Sequence, residues 1–234
     1  MTQEQIIEEL LAFIAADDAT EDAFNGLALD LFAYQFENNQ PFHRFSMHRE
    51  RTPRTAKSWR DIPAVPINAF KDLTLSCCEP ETAARTFMTS GTTKQDVRGK
   101  SHHPTLAVYD ASMTKNFKHR FMPDRDRIPM GILFPTEAVM PNSSLAHYLA
   151  LGVEHFGTLD SQYFLQETGI DFEGLFAELE HSETTGESYA LLGVSFSFVH
   201  LMDEMQRLGK SVALPTGSRI LDTGGFKGQS RELD

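Results

Sequence analysis

The chain contains only two cysteines, Cys77 and Cys78, and they are adjacent. Neighbouring cysteines seldom bridge without strain, and a disulfide framework needs several pairs. The scarcity argues against a disulfide-stapled extracellular fold and for a reducing cytoplasm. No apolar run reaches the ~18–20 residues that span a bilayer. The N-terminus, MTQEQIIEELLAF, carries glutamates where a secretory signal carries positive charge. Positive charge is scarce throughout: 21 Lys and Arg against 33 Asp and Glu leave a net charge of −12. That field repels nucleic-acid phosphate and anionic membrane, so neither is expected as a general partner. A small anion is not excluded, because local backbone donors and a few lysines can override the global sign. The nine histidines form no H-E-x-x-H, and there is no C-x-x-C, so no metal signature is present. Internal repeats, low-complexity stretches and a legible Ser-His-Asp arrangement are also missing.

What is there suffices for a core. Of 234 residues, 41% are hydrophobic and 23% charged, the balance of a folded chain. Thr2 and Gln5 make a capping-box pattern. Ile6, Ile7, Leu10, Leu11 and Ile14 follow at helical spacing. A second helix starts at Thr20 and carries Phe24, Leu27, Leu31, Phe32 and Phe36 as an apolar stripe. Asn38, Asn39 and Pro41 are expected to end it. Pro53, Pro63 and Pro66 break any long element, and DIPAVPINAFKDL reads as an extended connection into a short helix or turn.

The rhythm changes near residue 85. A strand over 85–89 is expected to enter a polar loop and then a helix from about Pro104, with Leu106, Tyr109, Met113 and Phe117 on one face. MGILF (Met130 to Phe134) reads as a buried strand. Asn142 or Ser143 caps the next helix, and Asp171 caps another with Leu175, Phe176 and Leu179 inward. SYALLGVSF (188–196) is strand-like, a helix runs to Leu208, and Gly209 stops it. A last strand over 218–221 feeds Gly224 and Gly225. Alternation of this kind predicts an α/β fold: a largely parallel sheet with flanking helices, preceded by a helical segment. The expected division is 1–80 helical and 81–234 α/β and nucleotide-binding. In such sheets ligands bind beyond the carboxyl ends of the strands.

The sharpest local feature is FMTSGTTKQDVRGKSHH, Phe87 to His103. Thr89, Ser90, Thr92 and Thr93 set four hydroxyls around Gly91, whose freedom lets backbone N–H groups turn toward an anion. Lys94, Arg98 and Lys100 add local positive charge. Gly99-Lys100-Ser101 spells the end of a P-loop, but position 94 is lysine where that motif needs glycine. The residues alone leave two readings open: a polyphosphate cradle, or a polar loop whose Ser, Thr and Gly simply make turns.

Thr89-Ser90-Gly91-Thr92-Thr93 resembles the phosphate loop of the adenylate-forming superfamily, with Lys94 where that loop usually continues with Gly. IPAVPINAFKDL (62–73) and LDTGGFKGQSRE (221–232) resemble stretches of the acyl-protein synthetases within it, in the same order. The resemblance covers most of the chain from about residue 60. It implies part of the large domain of the adenylate-forming fold, with ATP and Mg2+ as cofactors. A carboxylic acid, in this family a fatty acid, would attack the α-phosphorus of ATP, and a thiol would then take the acyl group. A thiol acceptor or an acyl-reductase partner protein is implied.

Carried over by resemblance, Ser90, Thr92, Thr93 and the backbone around Gly91 would hold the departing phosphates, with Thr89 and Lys100 beside them. Gly224 and Gly225 would lie under the adenine, with Thr223 and Phe226 nearby, although a glycine pair after a strand is also an ordinary tight turn. His147 and Tyr148 would border the acyl group, with Val194 and Phe196 lining its channel. A lone histidine on a helix and an apolar strand also read as plain packing. Relatives continue with an aromatic-Gly-x-Thr-Glu motif, a ribose-binding aspartate and a C-terminal catalytic lysine. Their absence leads to the expectation that this chain is the N-terminal portion, binding nucleotide weakly without completing adenylation. The alternative is a non-catalytic assembly module that keeps the fold.

Overall fold

A computed structural model describes residues 1–89 and 98–224. The chain divides into two compact units, Met1–Asn116 and Phe117–Asp234.

The first unit opens with three helices, α1 (Gln3–Ala15), α2 (Glu21–Asn38) and α3 (Gln40–His48). Thr2 and Gln5 close the predicted capping box, with Gln5 N–H donating to Thr2 Oγ1 and Thr2 N–H to Gln5 Oε1. Thr20 Oγ1 accepts from Ala23 N–H at the start of α2. The expected stop at Asn38–Pro41 ends α2 and also opens α3. Asn39 donates its N–H to Gln35 O at 2.9 Å, closing α2, and its Oδ1 accepts from Phe42 N–H at 3.1 Å, opening α3. Pro41 sits in the first turn of α3, where a missing N–H leaves nothing unsatisfied. Phe32, Phe42 and Ala56 form the buried centre here, with Leu29, Phe36 and Val65 against it. Lys115 Nζ donates to the carbonyls of Ala15 and Ala16 at the end of α1, where a helix favours a cation.

After a short helix, α4 (Ala69–Asp72), two strands pair antiparallel: β1 (Arg85–Met88) and β2 (Lys100–His103), in register from Arg85 opposite His103 to Met88 opposite Lys100. The strand at 85–88 and the helix that follows agree with expectation, and the strand Lys100–His103, expected within the loop, is the correction. KSHH has little intrinsic strand preference, and β1 supplies the template. α5 (Ala107–Arg120) follows, and the division between the units falls within it.

The second unit holds a four-stranded parallel sheet. Its strands are β3 (Met130–Leu133), β4 (Gln162–Tyr163), β7 (Ala190–Val194) and β8 (Arg219–Thr223), in the order β4-β3-β7-β8. Helices α6 (Ser144–Phe156), α7 (Phe172–Thr185) and α8 (Ser195–Leu208) connect them, and a small hairpin of β5 (Leu165–Gln166) and β6 (Gly169–Ile170) precedes α7. Every residue of β3 and β7 is buried, as central strands covered on both faces require. Close fit demands glycine twice. A Cβ on Gly131 would lie 2.9 Å from the Tyr189 hydroxyl oxygen, and one on Gly193 2.9 Å from Leu133 Cβ. Leu133, Phe164, Leu175, Phe176, Tyr189 and Leu191 lie in one core cluster. The strand expected over 188–196 ends at Val194, and Ser195 and Phe196 already belong to α8. The α/β class and parallel sheet agree with expectation. No described helix is long and apolar enough to cross a membrane.

Candidate functional site

Two places gather the residues singled out from the sequence, one in each unit. In the first, Thr89 and Gly99 close the neck of the hydroxyl-rich segment. Thr89 N–H donates to Gly99 O at 2.9 Å, and Gly99 N–H donates to Thr89 Oγ1 at 3.0 Å. A Cβ on Gly99 would meet Thr89 Cγ2 at 3.3 Å and the Phe70 backbone at 3.4 Å, so the neck admits no larger residue without displacement. Thr89 and Lys100 are exposed. Ser90, Gly91, Thr92 and Thr93 lie outside the described residues. His102 and His103, expected in a loop, are strand residues. Thr86 Oγ1 lies 3.0 Å from His102 Nδ1, and the His103 ring sits 5.1 Å from that of Phe87.

In the second unit the carboxyl ends of β3 and β7 lie side by side, with Leu133 opposite Gly193. From β3 the chain first moves outward to β4 and then returns to the other side for β7 and β8. The strand order therefore reverses between β3 and β7, the place where open α/β sheets bind ligands. The loop after β3 carries Glu137, whose Oε1 lies 3.0 Å from His147 Nδ1 on α6. His147 is 7% exposed, so its ring is held by this contact and not by solvent. Burial, and then the neighbouring Glu137 charge, push the Tyr163 hydroxyl above its ordinary pKa. One strand further, Ser195 Oγ donates to both carboxylate oxygens of Asp222, at 2.9 and 3.1 Å, and ties the start of α8 to β8. Thr223 ends β8 opposite Val194, and Gly224 follows with φ +94°, a conformation that favours glycine. Gly225 and Phe226 lie outside the described residues.

The remaining candidates are separated. Tyr148 turns to the Phe117 ring at 5.8 Å, and burial raises its hydroxyl pKa, while its neighbour His147 meets Glu137. Val194 is core, at 1% exposure. Phe196 borders a groove of about 490 Å³ between α8 and the β5–β6 hairpin, with Leu165, Ile170 and Phe172 as apolar walls. Glu137, Tyr163, Ser195 and Asp222 were not singled out from the sequence. The signal available was position: each lies at or just beyond the carboxyl end of a predicted or observed strand. Among the described residues no group of three or more His, Cys, Asp or Glu could hold a metal ion.

Residues 4–233 match the family model described as acyl-protein synthetase, LuxE. The chain belongs to the LuxE acyl-protein synthetase family. None of the curated proteins matches it. Membership in the LuxE family connects the chain with acyl transfer to protein, and thus with an acyl substrate and a protein acceptor. The match also takes in α1 to α3, so the helical opening is part of what the family shares.

Proposed function

We propose that the chain activates a carboxylic acid, in this family a fatty acid, with ATP, and passes the acyl group to a thiol. The acid's oxygen attacks the α-phosphorus, the bond to the bridging oxygen breaks, and pyrophosphate leaves. A thiol sulfur then attacks the acyl carbon, AMP leaves, and the thiol proton goes to solvent or a base. The burden of the first half is charge, because two anions must meet. Positioning and aligned donors therefore supply most of the catalysis. The placement in the adenylate-forming superfamily, with nucleotide bound within 81–234, belongs to the same proposal.

The observation that carries this reading is the neck at Thr89 and Gly99. Two hydrogen bonds and a tight glycine join Thr89 to Gly99, the residues that flank the segment Ser-Gly-Thr-Thr-Lys-Gln-Asp-Val-Arg. Hydroxyls and backbone N–H groups beside a glycine are the donors that a polyphosphate needs. The proposal assigns Ser90, Gly91, Thr92 and Thr93 to the β- and γ-phosphates, with Lys100 beside them, and Thr223 to Phe226 to the adenine. His147, its ring oriented by Glu137, is the second unit's candidate contact for the acid, whereas Val194 is core and Tyr148 packs on Phe117. Mg2+ would come with ATP, because that ion keeps most of its waters and needs only one or two carboxylates besides the phosphates. Glu137 and Asp222 are carboxylates at the sheet's carboxyl edge. The ion would supply charge neutralisation on the phosphates.

The test is ATP-dependent thermal stabilisation. At ATP about a hundredfold above Kd, a bound site contributes about 2.7 kcal/mol. The pair Thr92→Ala with Thr93→Ala should abolish the ATP-dependent rise in Tm and leave the Tm without ATP unchanged. An undiminished rise in the double variant would overturn the assignment.

A further inference from the structure

The first unit contains a cleft of about 620 Å³, within the range of small-molecule sites. Ile7 and Leu10 on α1, Leu31 on α2, and Val65 and Leu75 in the connection give it an apolar wall. Its walls come from segments far apart in sequence, so it exists only in the folded unit. Cys77 also lines it, and burial pushes that thiol up to about 11. The thiol therefore stays neutral near neutral pH and behaves as apolar wall. Ser101 and His102 on β2 bring a hydroxyl and an imidazole to the same cleft. β2 is the strand that leaves the Thr89–Gly99 neck.

We infer that this cleft holds the hydrocarbon chain of the acid, with the carboxyl end toward β2. The inference rests on the acyl-activation reading above and deepens it, by placing the chain's hydrophobic contacts in the helical unit. An acyl chain fits this cleft better than a protein segment does. The family handles acyl groups, apolar side chains form much of the cleft's wall, and Ser101 and His102 sit on the strand adjoining the proposed phosphate segment in sequence. The α1 helix then has a task beyond closing the fold: Ile7 and Leu10 face a ligand.

Cys77 provides a built-in reporter that does not depend on catalysis. The full chain is treated with N-ethylmaleimide at mildly alkaline pH, without nucleotide, over a series of straight-chain acids from octanoate to hexadecanoate. Peptide mass spectrometry reads Cys77 and Cys78 separately. Long-chain acids are expected to slow Cys77 alkylation several-fold and to slow Cys78 less. Leu10→Trp or Leu31→Trp fills the cleft and should abolish protection by hexadecanoate while octanoate still protects. Leu10→Phe serves as the milder variant if a tryptophan lowers the Tm. Absence of protection at every chain length overturns the inference, as does equal protection of both cysteines. Protection that grows with protein concentration in the absence of acid also overturns it, because a second copy then fills the cleft. If acids protect Cys77 but ATP gives no stabilisation, the cleft assignment stands and the activation reading falls. If ATP stabilises and Cys77 is never protected, the reverse holds.

Discussion

At the scale of single residues, environment decides reactivity more than identity does. Cys77 and Cys78 are neighbours, yet burial raises Cys77 to about 11, with the adjacent Cys78 adding to the shift. A group that keeps its proton longer in the folded than in the unfolded chain favours folding below the unfolded pKa and loses that contribution as pH rises through the folded value. Folding stability should therefore fall between about pH 9 and about pH 11, and part of that slope should vanish in Cys77→Ala, as read by urea titrations at each pH. Alkylation of Cys77 in the folded chain should be slow near neutral pH and climb toward pH 11. His147 was legible in the sequence as a candidate, but its partner was not. Glu137 precedes it by ten positions, and only the path of the loop after β3 brings Oε1 within 3.0 Å of Nδ1. Ser195 and Asp222 escaped notice for the same reason: their pairing depends on which strands lie side by side.

At the scale of elements, the parts written locally were readable and the parts written by a partner were not. Thr2, Thr20, Ser143 and Asp171 each cap the helix their positions suggest, because a cap needs only the next three residues. β2 was invisible because Lys-Ser-His-His becomes a strand only beside β1. The end of α2 was legible and the start of α3 was not, because Asn and Pro end helices and also begin them. Asn39→Ala should lose about 0.5–2 kcal/mol, the usual value of an N-cap, measured by chemical denaturation. Asn39→Ser, which keeps an acceptor, should recover most of it. At the neck, Gly99→Val should disturb the Thr89 contact and lower the ATP-dependent rise in Tm, while the caps of the second unit are unaffected.

At the scale of the whole molecule, stability is concentrated in the central strands of the sheet. Leu133 is fully buried, whereas Leu159 is fully exposed. Leu133→Ala should lose about 2–5 kcal/mol, and Leu159→Ser should stay within about 0.5 kcal/mol of the parent. Equal effects in urea titrations would contradict the placement of the core. The alternation of strands and helices made the fold class legible, but the strand order was not, since periodicity says nothing about which strand returns beside which. That order has a consequence during synthesis. Met130 pairs with Ala190, about sixty residues later in the chain. At ~5–20 residues per second, the nascent strand Met130–Leu133 waits roughly 3–12 s for that neighbour. During that interval the apolar strand has one edge unpaired, a natural client for a holding chaperone.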